Sequence, residues 1–583
     1  MVVWWEDIKY SHQFPAISIT TKPQLFSIFI FIFIIHLLLH SHSSATHPHQ
    51  TKLNTMSGKM RAKVHNKFKM RGYTLKVEAL KEILSFLSNF EDAEDEALDL
   101  LVDELHTGSL KSSVLDKESV QRVTSRLLEA GSAVDDDNPY TNMSTSFSVI
   151  DAFDIPKYRY DPIRKMFCQH TGRLPIHGDA SAKAWLYRDR FLLLSQRLSR
   201  IPQFSKPSFN SELSGLGSCE ISQIQSLVGR TGISWVMGVI SQFEDGHYYL
   251  EDLTAAVEIN LSNAKKTTGY FCENTIVLAQ GEMRLDGIFQ VQTFGFPPLE
   301  DREKSTTLFS GLNYFGGDTL SKEDTLKLAE MESSAVNEMF VILSDIWLDH
   351  DETMAKLETV LDGYEDVEVV PSLFVLMGNF CSRRFDLAYN SLSTLRSNFA
   401  KLGKMIGNHQ RLKEHSRFLF IPGPDDAGPS KVLPRCALPK YLTEELRKHI
   451  PNAIFASNPC RIKFYTQEIV FFRHDLLNKM RNSCLIPHST EETSDFFELL
   501  VATITHQSHL CPLPLSVQPI IWNYDHCLHL YPSPHTIVLG DSSEQKAFKY
   551  TGTTCFNPGS FSNDYTFVVY RPCNQEVELS ALE

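Results

Sequence analysis

Three short polar segments in the C-terminal half of the chain each begin where an apolar run of strand length ends. The segments are LSDIWLD (343–349), LMGNFCS (376–382) and IPGPDDAG (421–428). Because the ligands of open α/β sheets gather at the carboxyl ends of the strands, we expect the three segments to lie side by side. The C-terminal half is therefore predicted to be a layered α/β fold with one polar edge.

An edge of this kind is suited to a pair of metal ions. Two-metal hydrolysis requires Asp, His and Asn side chains, because several oxygen and nitrogen donors must surround two cations a few ångströms apart. Here Asp345 is a good donor, but Trp347 stands two residues further on, Asn379 is neutral, and Pro424 precedes Asp425. We therefore predict such a scaffold without metal ligands and without catalytic residues.

The three segments resemble the corners of calcineurin-like metallophosphoesterases, whose pattern runs D-x-H, G-D-x-x-[DN], G-N-H-[DE] and, near the end, G-H-x-H. Compared with that pattern, Trp347 replaces the first histidine and Asn379 replaces the bridging aspartate. Pro424 and Asp425 stand in place of Asn and His, and Asp541 stands where the last motif has its first histidine. The resemblance implies a degenerate metal site and no cofactor.

A longer set of segments resembles the B subunits of eukaryotic replicative DNA polymerases, and among these the epsilon type. The segments are SDIWLD, GNF, PGPDD, SNPCRIKFYTQEIVFFRHDL (457–476) and CFNPGSF (555–561). The resemblance implies an α+β multidomain protein. Its parts are a small N-terminal helical domain, a five-stranded oligonucleotide/oligosaccharide-binding (OB) barrel and a phosphoesterase-like α/β sandwich that lacks metal ligands.

Between residues 230 and 297 apolar residues recur at every second position and turn residues appear at regular intervals. This pattern is typical of a small antiparallel barrel. Five strands are predicted, at 234–243, 247–253, 257–262, 275–284 and 287–296. The aromatic residues that single-stranded DNA would stack on are Tyr248, Tyr249, Phe289 and Phe294. Acidic residues surround them, and the net charge of −14 repels phosphate. We therefore favour a protein partner, with DNA binding secondary.

The N-terminal domain is predicted to be helical, because Leu80, Ile83, Leu84 and Leu87 follow the spacing of a packed helix. The family resemblance implies a domain like the C-terminal helical domain of AAA+ ATPases. A basic run precedes these residues, and it either contacts an acidic partner or nucleic acid or forms a solvated helix face. The contact candidates are Lys59, Arg61, Lys63, Lys67, Lys69 and Arg71.

The predicted domains are an extension (1–55), the helical domain (56–131), a linker with a tether helix (132–200), the OB-fold (201–305) and the inactive phosphoesterase-like domain (306–583). The apolar run 25–39 has 15 residues, fewer than the roughly 20 that span a bilayer. We favour a wrongly assigned start before Met56, or an extension irrelevant to function, over a membrane anchor. The eleven scattered cysteines, without zinc or disulfide spacing, favour a reducing compartment.

The resemblance implies a non-catalytic accessory subunit in the nucleus, without a membrane. Its expected partners are the zinc-bearing C-terminal domain of the polymerase catalytic subunit, the small histone-fold subunits, and replicative helicase components at the N-terminal domain. The partner-interface candidates are Trp347, Phe380, Tyr248 and Tyr249. Trp347 and Phe380 stand where metal ligands are expected, and they either anchor a partner or plug the vacated site. The alternative is an active metal-dependent phosphodiesterase or 3′–5′ exonuclease that uses Asp345, Asp425, His506 and His509.

Overall fold

The structure is a computed structural model, and its internal contacts divide the chain into two compact units, residues 1–142 and 143–583. It describes residues 58–87, 98–99, 101–102, 114–115, 117, 120–121, 123–124, 146–204, 219–308, 311–384, 389–428, 431–486 and 495–583. The predicted extension (1–55) and the linker text from 131 to 145 lie outside the described residues.

The first unit contains a small apolar core formed by short elements. These elements are α1 (Gly58–Met70), β1 (Thr74–Leu75), α2 (Val77–Leu87) and β2 (Val114–Leu115), with β1 and β2 parallel. Val64 and Phe68 of α1 are buried against Ile83 and Leu87 of α2. The predicted apolar stripe of α2 is therefore confirmed, since residues three and four apart share one face of a helix.

The second unit begins inside the segment that the sequence predicted as a linker. Its first elements are β3 (Phe147–Asp151), the hairpin of β4 (Tyr158–Asp161) and β5 (Met166–Gln169), and α3 (Ala180–Leu198). Strand β3 pairs antiparallel with residues 460–464, so the linker prediction is wrong there. An edge strand needs only a few alternating residues, and Phe147 and Ile150 bury enough apolar surface to fix this one.

The barrel lies next in the chain. Its strands are β6 (Ile233–Glu244), β7 (His247–Glu251), β8 (Ala256–Asn260), β9 (Lys265–Lys266), β10 (Ile276–Met283) and β11 (Phe289–Gly295). The five predicted strands are present, and the short β9 is additional. Strand β10 pairs with both β6 and β11, and β11 also pairs with β8, so the sheet closes on itself.

The remaining residues form two facing sheets with helices on the outer sides. In chain order the helices and strands are α4 (Arg302–Leu308), α5 (Lys322–Ser334), β12 (Phe340–Ser344), α6 (Asp351–Glu365), β13 (Leu373–Met377), α7 (Tyr389–Asn408), α8 (Gln410–His415), β14 (Arg417–Ile421), α9 (Lys440–His449), β15 (Ile454–Phe455), β16 (Cys460–Phe464), β17 (Gln467–Arg473), α10 (Leu476–Asn482), α11 (Phe496–His506), β18 (Thr536–Gly540), β19 (Lys546–Tyr550), β20 (Thr553–Asn557), α12 (Phe561–Asp564), β21 (Thr566–Arg571) and β22 (Glu576–Ala581).

Both sheets have six strands, in the orders β15-β14-β13-β12-β21-β22 and β19-β20-β18-β17-β16-β3. A shared core lies between them and includes Phe340, Val375 and Leu419 from the first sheet and Phe471 and Val538 from the second. The parallel strands β12, β13 and β14 are apolar on both faces because helices such as α7 cover the outer face.

The predicted position of the three polar segments is confirmed. Ser344, Met377 and Ile421 occupy matching positions at the carboxyl ends of the parallel strands β12, β13 and β14. The segments that follow these residues therefore leave the sheet at one edge.

Two smaller results complete the fold. Helix α6 runs through Gly363 and ends at Glu365. No helix among the described residues has the length and apolar character needed to cross a membrane, and residues 25–39 lie outside them.

Candidate functional site

The first corner is centred on a buried carboxylate whose oxygens are both in use. Asp345 follows β12 and is 4% exposed. Its Oδ2 accepts a hydrogen bond from Ser560 Oγ at 2.7 Å, and its Oδ1 accepts from Trp347 Nε1 at 3.2 Å. Asn379 Nδ2 lies 3.5 Å from the same Oδ1. The indole that replaces an imidazole therefore donates to the carboxylate, where a histidine would offer a lone pair to a metal.

Arg473 supplies the cation at this corner. It ends β17 in the second sheet and is 1% exposed. Its Nη2 donates to Asp345 Oδ1 at 3.2 Å and its Nη1 donates to Asp475 Oδ1 at 2.8 Å. Burial by itself disfavours the charge, but Asp475 and Asp345 outweigh it and raise the pKa of Arg473. A guanidinium thus lies against Asp345 where the resemblance places metal ions.

The same guanidinium ties the edges of the two sheets together. Arg473 Nη1 also donates to the carbonyl oxygen of Gly540 at 2.9 Å, and its Nε donates to the carbonyl oxygen of Gly378. Gly540 ends β18 of the second sheet, and Gly378 follows β13 of the first. The side chain therefore holds both sheet edges as well as two carboxylates.

The second and third corners are in close contact with each other. A Cβ on Gly378 would lie 1.9 Å from Asp426 Oδ2, and a Cβ on Gly423 would lie 2.4 Å from Asn379 Oδ1. Only glycine fits at either position. Asn379 Oδ1 accepts the N–H of Asp425 at 3.0 Å, so the neutral residue at the bridging position bonds the next corner directly.

Asp426 is the carboxylate that closes this contact. Its Oδ1 accepts the N–H of Phe380 at 2.7 Å, and its Oδ2 accepts the N–H of Gly423 at 2.7 Å. Burial raises the pKa of Asp426 to about 6. Both oxygens accept from backbone donors, so Asp426 holds the two loops together.

The remaining acids predicted at this edge have separate surroundings. Asp425 is half-buried and pairs with Arg384 at 3.7 Å. Asp541 is buried, and its two oxygens accept the N–H groups of Leu477 and Ser543 at 3.0 Å each. Burial raises the pKa of Asp541. Asp541 is therefore a residue that fixes its loop through backbone donors.

The structure does not assemble the residues of the alternative phosphodiesterase. His506 contacts the carbonyl oxygen of Pro297 at 2.9 Å and Tyr550 Oη at 3.0 Å, and His509 contacts Asp525 at 3.2 Å. Neither histidine has a described contact with Asp345 or Asp425. The alternative set is therefore spread over separate parts of the unit.

One group of potential metal ligands occurs among the described residues, and it is His509, Asp525 and His529. The N–H of Cys511 donates to His509 Nδ1 at 3.0 Å, so His509 Nε2 carries the hydrogen and faces Asp525. Arg190 of α3 binds both oxygens of Asp525, at 2.5 and 2.9 Å. The buried Arg190 therefore pairs with the carboxylate of Asp525. His509, Asp525 and His529 form a salt-bridge cluster with Arg190 that joins α3 to residues 522–528.

His506 gives a pH-dependent prediction at the junction between barrel and sandwich. Burial lowers the pKa of His506 to about 4 from 6.5. Between these values the unfolded chain binds a proton that the folded chain does not, so this contribution to stability is full above pH 6.5 and is lost as the pH falls towards 4. Its size is on the order of 3 kcal/mol.

The prediction is tested by comparing the wild type with His506→Gln. The stability difference between them, measured by denaturation at pH 7 and pH 5, is expected to shrink at the lower pH. The matched control is His170→Gln at an exposed position, for which we expect no such change. A difference for His506→Gln that is equal at both pH values would contradict the prediction.

The interface candidates differ in their exposure. Trp347 is half-buried at the rim of the corner. Phe380 is fully buried against Phe399 and Phe420, so its prediction as an interface residue is wrong. The loop places its side chain beneath the sheet edge, where the helices of the outer face complete its packing. Phe380 is therefore a core residue.

The barrel candidates also separate into two groups. Phe289 and Phe294 are fully buried in the barrel core, so the stacking role considered for them is wrong. Tyr248 and Tyr249 are half-buried, and Tyr248 Oη donates to the carbonyl oxygen of Leu485 at 3.0 Å. Tyr249 contacts the exposed Phe243, with the ring centres 5.1 Å apart.

The basic candidates on α1 and directly after it are largely at the surface. Arg61, Lys63, Lys69 and Arg71 are exposed, and Lys67 forms an ion pair with Asp99. The side chain of Lys59 lies outside the described residues.

Sequence reasoning missed Arg473 and Asp525 as organising residues. The signal for Arg473 was present as the polar triplet Arg473, His474 and Asp475 directly after the apolar run of β17. A charged residue that ends a buried parallel strand requires a partner at the same sheet edge. Asp525 has no comparable local signal, because Arg190 is 335 residues away in the chain.

Three families match successive parts of the chain. Residues 56–125 match the N-terminal domain of DNA polymerases epsilon, residues 180–298 match the OB-fold domain of proteins like the second subunit of DNA polymerase epsilon, and residues 340–549 match the B subunits of DNA polymerases alpha and epsilon. With the two-sheet fold and the altered corners, these matches define the class as the B subunits of replicative DNA polymerases.

Two relatives show which type of B subunit the chain resembles. The chain is 65% identical over 523 residues to the DNA polymerase epsilon B subunit of Arabidopsis thaliana, covering 90% of this chain and 99% of the relative. It is 34% identical over 538 residues to DNA polymerase epsilon subunit 2 of Homo sapiens, with the same two coverages. The chain therefore belongs to the family of DNA polymerase epsilon B subunits, and it is an accessory subunit and not an enzyme.

A solved structure of an archaeal phosphodiesterase also matches 42% of the chain and 99% of that protein, with 10% identity and a TM-score of 0.23.

Proposed function

We propose that the second unit is a docking body without metal ions, which binds the zinc-bearing C-terminal domain of the polymerase catalytic subunit. The observation that carries the proposal is the contact of Arg473 with Asp345, because it places a fixed protein cation against the one good metal ligand. Asn379 and Asp426 accept hydrogen bonds from the backbone of the neighbouring loops. The residues present do not fit a dinuclear metal centre, which needs several unoccupied carboxylate and imidazole donors.

The barrel and the rim of the altered corner are the proposed contact surfaces. Trp347, Tyr248 and Tyr249 are half-buried aromatic residues, the type that anchors protein interfaces. An obligate interface buries about 2,000 Å² or more, so we propose that it extends over both the barrel and the sandwich. The net charge of −14 supports a protein partner over DNA at these residues.

We further propose that the N-terminal helical domain provides a second contact, towards replicative helicase components, with the exposed basic face of α1 meeting an acidic surface. The small histone-fold subunits belong to the same proposed assembly. The proposed location is the nucleus, where such an assembly replicates DNA.

The proposal is tested by co-purification with the polymerase catalytic subunit. The full chain is expected to co-purify with the intact catalytic subunit and to be lost when the C-terminal domain of that subunit is deleted. Tyr249→Ala, combined with Trp347→Ala, is expected to weaken the complex, while Phe496→Ala at another exposed aromatic position serves as the matched control. Retention of the chain by the truncated catalytic subunit would contradict the proposal.

A further inference from the structure

The outer face of the barrel sheet is covered by α3 at one end of β6 and exposed at the other. Phe191 and Leu194 of α3 pack on Met237, which lies in the first half of the strand. Because side chains alternate along a strand, Ser241 continues the same outer face beyond Met237. Directly after it, Phe243 is 73% exposed. The second half of β6 therefore carries its outer face to the surface of the molecule.

Two aromatic rings lie side by side on this exposed part. The pairing of β6 with β7 shifts register between Gln242 and Glu244, so Phe243 is the extra residue of a β-bulge. A bulge commonly turns a side chain in a new direction. Tyr249 of β7 is half-buried, and its ring centre lies 5.1 Å from that of Phe243. Its neighbour Tyr248 packs instead against the barrel core. Phe243 and Tyr249 thus form an exposed aromatic pair, the residue type that anchors protein interfaces.

Carboxylates surround the aromatic pair. Glu258 of β8 lies directly across from Tyr249 in the sheet register. Glu251 follows Tyr249 by two positions on β7 and is exposed on the same face. Glu244 and Asp245 are exposed at the turn between β6 and β7. The face is therefore acidic as well as aromatic.

These strands supply almost no positive charge of their own. Residues 231–264 contain no lysine or arginine, and His247 is their one basic residue. Its Nδ1 lies 2.7 Å from an oxygen of Glu258, and this hydrogen bond raises the pKa of His247. Glu258 therefore already attracts a cation, while Glu251 and the acids of the turn have only an imidazole beside them on these strands. A partner that brings cations would complement the face.

We infer that the face formed by Phe243, Tyr249, Glu251 and Glu258 binds a segment of a partner protein that carries arginine side chains. A guanidinium stacks on an aromatic ring and also donates two parallel hydrogen bonds to a carboxylate, whereas an ammonium group cannot form that planar pair. The phosphates of nucleic acid are repelled by the same carboxylates. The inference rests on the proposed role of the barrel as a docking surface, and it adds the chemistry of the segment that docks.

The test is a titration of the full chain with fluorescein-labelled nona-arginine and nona-lysine, followed by fluorescence anisotropy. The salt concentration is about 0.15 M, where charges more than about 8 Å apart are largely screened, so remote acids of the chain contribute little. We expect nona-arginine to bind saturably and about fivefold more tightly than nona-lysine. Phe243→Ala and Tyr249→Ala are each expected to remove most of this preference. Phe496→Ala, at an exposed aromatic residue outside the barrel, is the matched control and is expected to retain it.

A second pair of variants separates the local carboxylates from the net charge of the chain. The double variant Glu251→Gln, Glu258→Gln is expected to weaken both peptides about fivefold. The double variant Glu330→Gln, Glu358→Gln changes the net charge by the same amount at exposed positions of α5 and α6, and it is expected to have no effect. Thermal unfolding at the wild-type temperature establishes that each variant keeps its fold.

Several results would overturn the inference. These are absence of saturable binding, equal affinity for the two peptides, or equal weakening by the two double variants. A wild-type dimer in sedimentation that Phe243→Ala dissociates would identify a second copy of the chain as the occupant instead. Tighter binding of a single-stranded thymidine oligonucleotide than of nona-arginine would identify nucleic acid. Because the peptides are titrated into the chain alone, these failures are distinct from a loss of co-purification with the catalytic subunit.

Discussion

Replacing Arg473 by methionine is expected to lower the stability of the second unit by about 3–5 kcal/mol. The change removes the guanidinium from a fully buried position and leaves the Asp345 carboxylate buried without its cation. It also breaks the hydrogen bonds that hold the carbonyl oxygens of Gly378 and Gly540 at the two sheet edges. Thermal unfolding followed by circular dichroism is expected to shift down by about 10 °C.

Two control variants distinguish the loss of the ion pair with Asp345 from the general effect of replacing an arginine by methionine. Arg173→Met, at an exposed arginine, is expected to change the unfolding temperature little. The double variant Asp345→Asn, Arg473→Met is expected to lose less than the sum of its single variants, because the carboxylate that needs the cation is gone. If Arg473→Met unfolds at the same temperature as Arg173→Met, the guanidinium does not hold the corner.

Replacing Asp525 by alanine is expected to have an effect of similar size, about 3–5 kcal/mol. The Arg190 guanidinium, with 8% of its side chain exposed, would lose both of its hydrogen bonds to the carboxylate. His509 and His529 would lose the same acceptor. Because Arg190 belongs to α3, the expected result is loosening of that helix, measurable as faster amide hydrogen exchange over residues 180–198.

The contribution of Asp525 has a defined pH dependence. Burial opposes its ionisation, but the charge of Arg190 outweighs burial and holds the pKa of Asp525 well below 3.8. The contribution is therefore present above pH 3.8 and is lost as the pH falls below it. The stability difference between wild type and Asp525→Ala is expected to be equal at pH 7 and pH 5.

An apolar replacement of the whole pair provides the control. The double variant Arg190→Met, Asp525→Leu is expected to recover most of the stability lost in Asp525→Ala, since a buried ion pair and an apolar pair of similar volume are often nearly equivalent. A double variant as unstable as Asp525→Ala would contradict the assignment of the loss to the unpaired Arg190.

The sheet edge was predictable from sequence because its signal is local. Each of β12, β13 and β14 is a continuous apolar run followed by a polar corner, and parallel strands bring such corners together. The barrel strands were likewise visible as residues that alternate in burial, as in β11 from Phe289 to Gly295. These patterns depend on neighbours within a few residues.

The side-chain contacts within the site were less predictable, because the residues that contact each other are far apart in the sequence. Arg473 and Asp345 are 128 residues apart, and no periodicity connects them. Phe380 lies in a motif that normally carries ligands, which suggested a surface role, but its burial is decided by Phe399 and Phe420. The missing histidines of the motifs were readable from sequence, whereas the Arg473 guanidinium beside Asp345 required the three-dimensional structure.

The most direct test of the altered corner is X-ray diffraction from a crystal of the full chain that has been soaked in manganese. The data are collected at a wavelength where manganese scatters anomalously. We expect no anomalous peak beside Asp345 and Asn379, and density for the Arg473 guanidinium within hydrogen-bond distance of the Asp345 carboxylate. Two anomalous peaks a few ångströms apart at that corner, with Arg473 turned away, would contradict the account.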